Sequence, residues 1–166
     1  MRVAILSDSH DNLPNLKRAL SFIVKQKIKI LLHCGDVCKP ETVRELEKNF
    51  NGRIYIAMGN VDLGFYHQKL KKGRSKKTRI FEDFGKIRVN NLKIAFCHNP
   101  DLARRLSRTK KYDFVFYGHS HKPFLEKTNN CFLANPGNIE GTFYKSTFAI
   151  LDTKEKKLEL KILEKL

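Results

Sequence analysis

Two histidines separated by one serine, His119 and His121, close the stretch YDFVFYGHSH at residues 112–121, in a chain with only six histidines. A lone histidine after an apolar run is usually just a polar strand end. On an extended segment, residues i and i+2 point to the same side, and two imidazoles side by side suit metal ligation. Partners of the right chemistry stand elsewhere. Asp8 and His10 form a DxH, Gly35 and Asp36 a GD, residues 59–62 a GNxD, and His98 follows an apolar run. Composition alone predicts a DxH ~0.3 times, a GNxD ~0.03 times and a GHxH ~0.01 times in such a chain. The first signal is weak by itself; the ordered set is strong. Asp, Asn and His offer oxygen and nitrogen donors without thiolate, a set that suits Mn, Fe, Ni, Co or Zn and fits Cu(I) poorly. The seven side chains Asp8, His10, Asp36, Asn60, His98, His119 and His121 are too many for one tetrahedral ion. They are about right for two ions that share one bridging carboxylate.

Residues so far apart in sequence need strands to gather them. The apolar run at 2–6 reads as a buried parallel strand, followed by a helix over 14–25, a strand at 28–33, a helix at 40–49 and a strand at 53–58. This βαβαβ order predicts a parallel sheet with right-handed crossovers. Beyond it, 86–89 and 92–97 read as a hairpin around Asn90 and Asn91, and a helix is expected near 101–110. A strand at 112–117 precedes a second hairpin turning at 129–130, and strands at 146–152 and 157–163 finish the chain. Parallel units are thus expected to give way to antiparallel ones, with one irregular stretch at 61–80. Each candidate ligand falls at a strand end. In open α/β sheets, ligands bind outside the carboxyl ends of the strands.

Composition narrows the class. The chain has 166 residues, 41% hydrophobic and 30% charged, which predicts one globular domain over 1–166. The apolar run at 3–6 is too short for a signal-peptide core, and no stretch approaches the ~20 residues of a membrane span. A cytoplasmic location is the expectation. Cys34, Cys38, Cys97 and Cys131 form no CxxC pair and read as reduced, buried thiols. The net charge of +16, with 23 lysines, can attract phosphate, nucleic acid or membrane headgroups.

The order DxH, GD, GN, H, GHxH resembles the calcineurin-like metallophosphoesterases, and is most similar to their small bacterial and archaeal phosphodiesterases. HCGD at 33–36 and NPG at 135–137 agree. The resemblance implies an α/β (mixed α+β) fold: a four-layer α/β/β/α sandwich of two mixed β-sheets, with a dinuclear site at the sheet edge. It implies one divalent ion on Asp8, His10, Asp36 and His121, and another on Asp36, Asn60, His98 and His119, with Asp36 bridging. Manganese is the first candidate; nickel, iron, cobalt, zinc and magnesium are others. Asp36, Asn60 and His98 are read as catalytic. Such a pair of ions readies a hydroxide that attacks a phosphodiester in line. Ligation needs neutral imidazole, so metal binding should weaken as pH falls through ~6.5.

Two positions depart from the family pattern. Its phosphomonoesterase branch has His after the Asn, where this chain has Val61. Family members commonly have Gly after the fifth-motif histidine, where this chain has Asn99. Several residues carry weaker expectations. Asp62 is read as an outer partner of Asn60 or of a ligand histidine, or else as a helix cap. His33 is read as a satisfied strand-end histidine, His67 as a loop residue with a minor claim on substrate, and Asn12 and Asn135 as a cap and a turn. The basic segment 69–79 and Arg104, Arg105, Arg108, Lys110 and Lys111 make nucleic acid a conceivable partner, though no interleaved aromatics mark base stacking. Two further readings stand beside the phosphodiesterase: a non-catalytic interaction scaffold on the same fold, as in the small subunit of retromer, and a nuclease using the basic face.

Overall fold

The structure is a computed structural model and describes residues 1–63, 75–128 and 130–166. Strand β1 (Arg2–Leu6) is apolar on both faces because both are covered. Val3 and Ile5 enter one core and Ala4 and Leu6 another, as period-2 alternation requires. β1 pairs in parallel with β2 (Ile30–His33), β2 with β3 (Arg53–Ala57), and β3 with β4 (Thr78–Phe81). On its other side β1 pairs antiparallel with β10 (Thr147–Asp152), which pairs antiparallel with β11 (Lys157–Ile162). A second sheet has the order β5 (Phe84–Val89), β6 (Leu92–Cys97), β7 (Phe114–Phe116), β9 (Cys131–Asn135), β8 (Phe124–Thr128).

Three apolar clusters separate four layers. Helices α1 (Leu13–Lys25) and α2 (Pro40–Asn49) cover the outer face of the first sheet, where Leu16, Ala19, Leu20 and Ile23 meet Leu31, Ile54 and Phe148. Between the sheets, Ile5, Leu32 and Leu151 pack on Ile94, Phe96 and Phe114. Outside the second sheet, Ala103 and Leu106 of α3 (Pro100–Arg108) lie on Ala95, Val115 and Leu133. This is the expected α/β/β/α sandwich with two mixed sheets. Among the described residues, no helix is long and apolar enough to cross a membrane.

Two expectations are corrected. The stretch read as irregular at 61–80 runs into β4 at its end, whose four residues lie too close to a lysine-rich run for alternation to show. The second half is also not simply antiparallel. Its hairpins are, but β6 pairs in parallel with β7 and β7 in parallel with β9. Helix α3 carries the chain back between β6 and β7. β8 takes the outer edge and leaves the place beside β7 to β9. As a result β1, β2 and β3 of one sheet and β6, β7 and β9 of the other bring their carboxyl ends to one rim.

Candidate metal centre

The loop after β1 carries Asp8 and His10, that after β2 Asp36, that after β3 Asn60, that after β6 His98, and that after β7 His119 and His121. Main-chain bonds lace these loops. The Asp8 amide donates to Gly35 O at 3.0 Å, that of His10 to Asp36 O at 3.1 Å, and that of Gly118 to His98 O at 3.2 Å. All seven candidate side chains meet at this rim, in two groups. In one, His121 Nε2 lies 3.3 Å from His10 Nε2 and 3.3 Å from Asp8 Oδ1. In the other, Asn60 Oδ1 lies 2.8 Å from His98 Nε2 and 3.0 Å from His119 Nδ1. Asp36 Oδ2 stands between the groups, 3.5 Å from His10 Nε2 and 3.4 Å from His98 Nε2.

The donor set fits a divalent cation. His98 Nδ1 donates to the Cys34 carbonyl at 2.9 Å, which leaves a lone pair on Nε2 of the neutral ring. That lone pair faces the Asn60 and Asp36 oxygens, which are themselves electron-pair donors. Only a proton or a cation reconciles such a convergence. Donor atoms of Asp8, His10 and His121 lie within 4.8 Å of one another, as do those of Asp8, Asp36 and His98. The His98 nitrogen 4.0 Å from Asp8 Oδ1 is Nδ1. That nitrogen is committed to Cys34, so His98 turns its free nitrogen toward Asp36 and Asn60 instead.

The titration directions tell the same story. The Asp8 hydrogen bond chiefly holds His121 above the ordinary imidazole value. Burial pulls His98 down, but the bond and charge of Asp36 outweigh it and the net direction is up. Burial pushes Asp36 up, and His98 reverses this so that its carboxyl ends below the usual range. In each pair the carboxylate favours a proton on the neighbouring imidazole, and a cation would compete for the same lone pair.

The backbone is bent to make this possible. Asp8, His10, Asp36, His119 and His121 all have positive φ, from 39° to 70°. This region costs non-glycine residues of order 1–3 kcal/mol each, though Asp and His tolerate it better than most. Gly59 shows how tight the rim is. A Cβ there would lie 2.0 Å from Asp36 Oδ1 and 2.5 Å from Asp36 N.

Residues around the centre refine the sequence reading. Asp62 neither caps a helix nor touches a ligand side chain; its buried carboxylate joins the loops after β2 and β3. Asn99 caps α3, accepting from the amides of Asp101 and Leu102 at 2.8 and 2.9 Å. Asn12 caps α1 through the Asn15 amide, as expected. Asn135 does more than turn the chain: its Nδ2 donates to Gly118 O at 2.8 Å beneath the histidine pair. His33 sits against Ser9 Oγ, and burial lowers its pKa to about 4. Glu140, 3.7 Å from His121 Nδ1, and Cys38, with Sγ 3.6 Å from His10 Nδ1, were missed. Neither has a sequence signal, because both depend on long-range loop contacts.

Beside Asn60, His98 and His119 opens a cleft of about 710 Å³, whose walls include Met58, Leu63, Asp83, Leu102 and Arg105. Of the arginines suggested as a basic face, Arg105 lines this cleft, while Arg104 pairs with Asp101 at 3.0 Å. His67 and residues 69–74 of the basic segment lie outside the described residues. The part that is described turns away to α2, where Lys77 Nζ donates to Phe50 O at 2.7 Å.

Two mixed sheets that converge on a rim of Asp, Asn and His define a metallophosphoesterase type of site. The family model of the calcineurin-like phosphoesterase superfamily domain matches residues 1–156, and the chain belongs to that superfamily. A phosphodiesterase of Methanocaldococcus jannaschii is 31% identical over 169 residues, covering 99% of this chain and 100% of the relative. The solved structure of an archaeal phosphodiesterase superposes with a TM-score of 0.89 at 30% identity, covering 98% of this chain and 99% of that one. Vacuolar protein sorting 29 from Cryptosporidium parvum, at a TM-score of 0.70 and 20% identity over 97% of this chain and 95% of that one, shares the fold.

Proposed function

We propose that the chain is a metal-dependent phosphodiesterase with two divalent cations, manganese first among the candidates. Asp8, His10, Asp36 and His121 would hold one, and Asp36, Asn60, His98 and His119 the other. The observation that carries this reading is the place of Asp36, whose one oxygen is within 3.5 Å of ring nitrogens from both groups. Bound cations of this kind lower the pKa of water toward ~7 and offset charge on phosphoryl oxygens.

The chain's own residues do the rest. The Cys34 carbonyl fixes which His98 nitrogen faces the centre. The Val61 amide donates to Asp36 Oδ1 at 3.1 Å and holds that carboxylate in orientation. Val61 is 39% exposed, and its side chain has no proton to give. With no proton donor at position 61, departure of the leaving group depends more on its own stability as the bond from phosphorus to its oxygen breaks and a bond to water oxygen forms. The products are a phosphomonoester and an alcohol. Activated diesters should therefore turn over faster than alkyl monoesters.

The test is hydrolysis of bis-p-nitrophenyl phosphate and a sugar phosphate with Mn, Ni, Mg and Zn, alongside Asp36→Asn. Metal-dependent cleavage of the diester, lost in the folded variant, is expected. Faster turnover of the sugar phosphate, or full activity in Asp36→Asn, would reject the reading.

A further inference from the structure

We propose that Phe143 is a stacking platform for a planar ring on the substrate, which assigns the substrates as phosphodiesters of nucleoside type. This rests on the phosphodiesterase reading above. Single exposed apolar residues are ordinary, but Phe143 is 80% exposed and stands at a particular place. Its ring centroid is 6.3 Å from that of His121, with 55° between the planes. A group esterified to a phosphate held at His121 would come within reach of that ring.

The loop that presents Phe143 is anchored at its root. Asn12 Nδ2 donates to Glu140 O at 2.8 Å, and Asn15 Nδ2 to Ile139 O and Glu140 O at 3.0 and 3.1 Å. Ser146 Oγ closes the far side on Ile139 O at 2.8 Å. Gly141, at φ +83°, then turns the chain outward, a conformation open to glycine. One short segment therefore sets Glu140 against His121 Nδ1 and lifts Phe143 into solvent beside the same ring. Anchoring the root of the segment reduces the backbone ordering that binding would require.

The two sides of the centre differ in chemistry. The cleft on the His119 side combines Met58, Leu63 and Leu102 with the charged Asp83 and Arg105, whereas the His121 side offers an exposed aromatic face. Such an asymmetric site suits a diester with one flat, weakly polar substituent and one polar one. Every nucleobase has a π-face, and stacking on an aromatic side chain tolerates any base. A single platform also suits one base better than a long strand.

The test is calorimetric titration of the Mn-loaded full chain with thymidine 5′-phosphate and with ribose 5-phosphate, which lacks the base. Wild type should bind the nucleotide about tenfold more tightly. Phe143→Ala should abolish that preference without weakening the sugar phosphate, and Phe143→Trp should keep it. An exposed position makes all three chains foldable, and their melting temperatures verify this. Equal affinities in wild type, or an undiminished preference in Phe143→Ala, would overturn the platform. If the preference follows Phe143 but no diester is hydrolysed, the platform stands and the phosphodiesterase reading falls.

Discussion

The Asp62 carboxylate accepts the Cys38 amide at 2.7 Å and so ties the loop after β2 to the end of β3. It also accepts from Gly59 N at 2.9 Å and Val37 N at 3.3 Å, fully buried. The loops it joins carry Asp36 and Asn60. Asp62→Ala would leave three buried amides without an acceptor, at about 1–3 kcal/mol for each group truly unsatisfied. We expect a total near 3 kcal/mol, because relaxation absorbs part of the loss. At ~2–4 °C per kcal/mol for this size, the melting temperature should fall by ~6–12 °C. Calorimetry on the metal-free chain measures it, and a fall under about 2 °C would show that the amides find other partners.

Gly59→Ala should damage the centre more than the fold. The new Cβ would strike Asp36 Oδ1 and the Asp36 amide, and the amide belongs to backbone that cannot swing aside. Asp36 must shift, and with it the one oxygen that both histidine groups share. The expected result is loss of Mn affinity of at least about tenfold, roughly 1.4 kcal/mol, with the far-ultraviolet circular dichroism unchanged. Wild-type affinity in this variant would show that Asp36 is dispensable.

His33 makes the protein acid-sensitive. Burial is the main cause of its low pKa of about 4, against 6.5 in the unfolded chain. The unfolded chain takes up the proton first. Stability from keeping this ring neutral is therefore present above pH 6.5 and is lost as pH falls from 6.5 to about 4, by at most about 3 kcal/mol. His33→Gln keeps a donor for Ser9 and cannot titrate. Its urea-unfolding free energy should fall about 2 kcal/mol less than that of wild type between about pH 7 and 4.5. Parallel pH curves would refute the assignment.

Proton and cation compete for the histidines of the centre. His121, held up mainly by Asp8, and His98, where Asp36 outweighs burial, both have raised values. In the metal-free chain these groups contribute stability that is complete below pH 6.5 and lost as pH rises through the raised values. Asp36 is shifted the other way, so its contribution is lost only as pH falls through its lowered value. A cation replaces the proton, so binding must strengthen as the rings lose their protons. The rise in melting temperature on adding MnCl2 should be larger at about pH 8 than at about pH 6. A rise independent of pH would place the ion elsewhere.

Much of the centre was legible because its residues carry their own signals. Asp8, His10, Asp36, Asn60, His98, His119 and His121 each stand within a few residues after an apolar run, and a polar cluster following such a run is visible in sequence. Other residues were not legible. Asp62 could be read as a partner for a ligand side chain or as a helix cap, yet it accepts from three amides of two different loops. Asn99 departed from the family pattern, and its role as the cap of α3 shows only in the structure. β4 was hidden because four residues beside a lysine-rich run show no clear alternation.

The sequence by itself determined the chemical types at the rim, the buried character of β1, β2 and β3, and the absence of thiolate from the candidate ligand set. These are local properties, carried by residue type and by spacing within one element. Tertiary structure alone decided that β6, β7 and β9 run parallel, and that Asp36 lies between two histidine groups. It alone decided that Glu140 and Cys38 stand behind His121 and His10, and that Phe143 stands beside His121. Those relations join residues up to 113 positions apart, as in the Asp8–His121 contact. No local pattern encodes them, because they arise only when two sheets pack face to face and bring their strand ends to one edge.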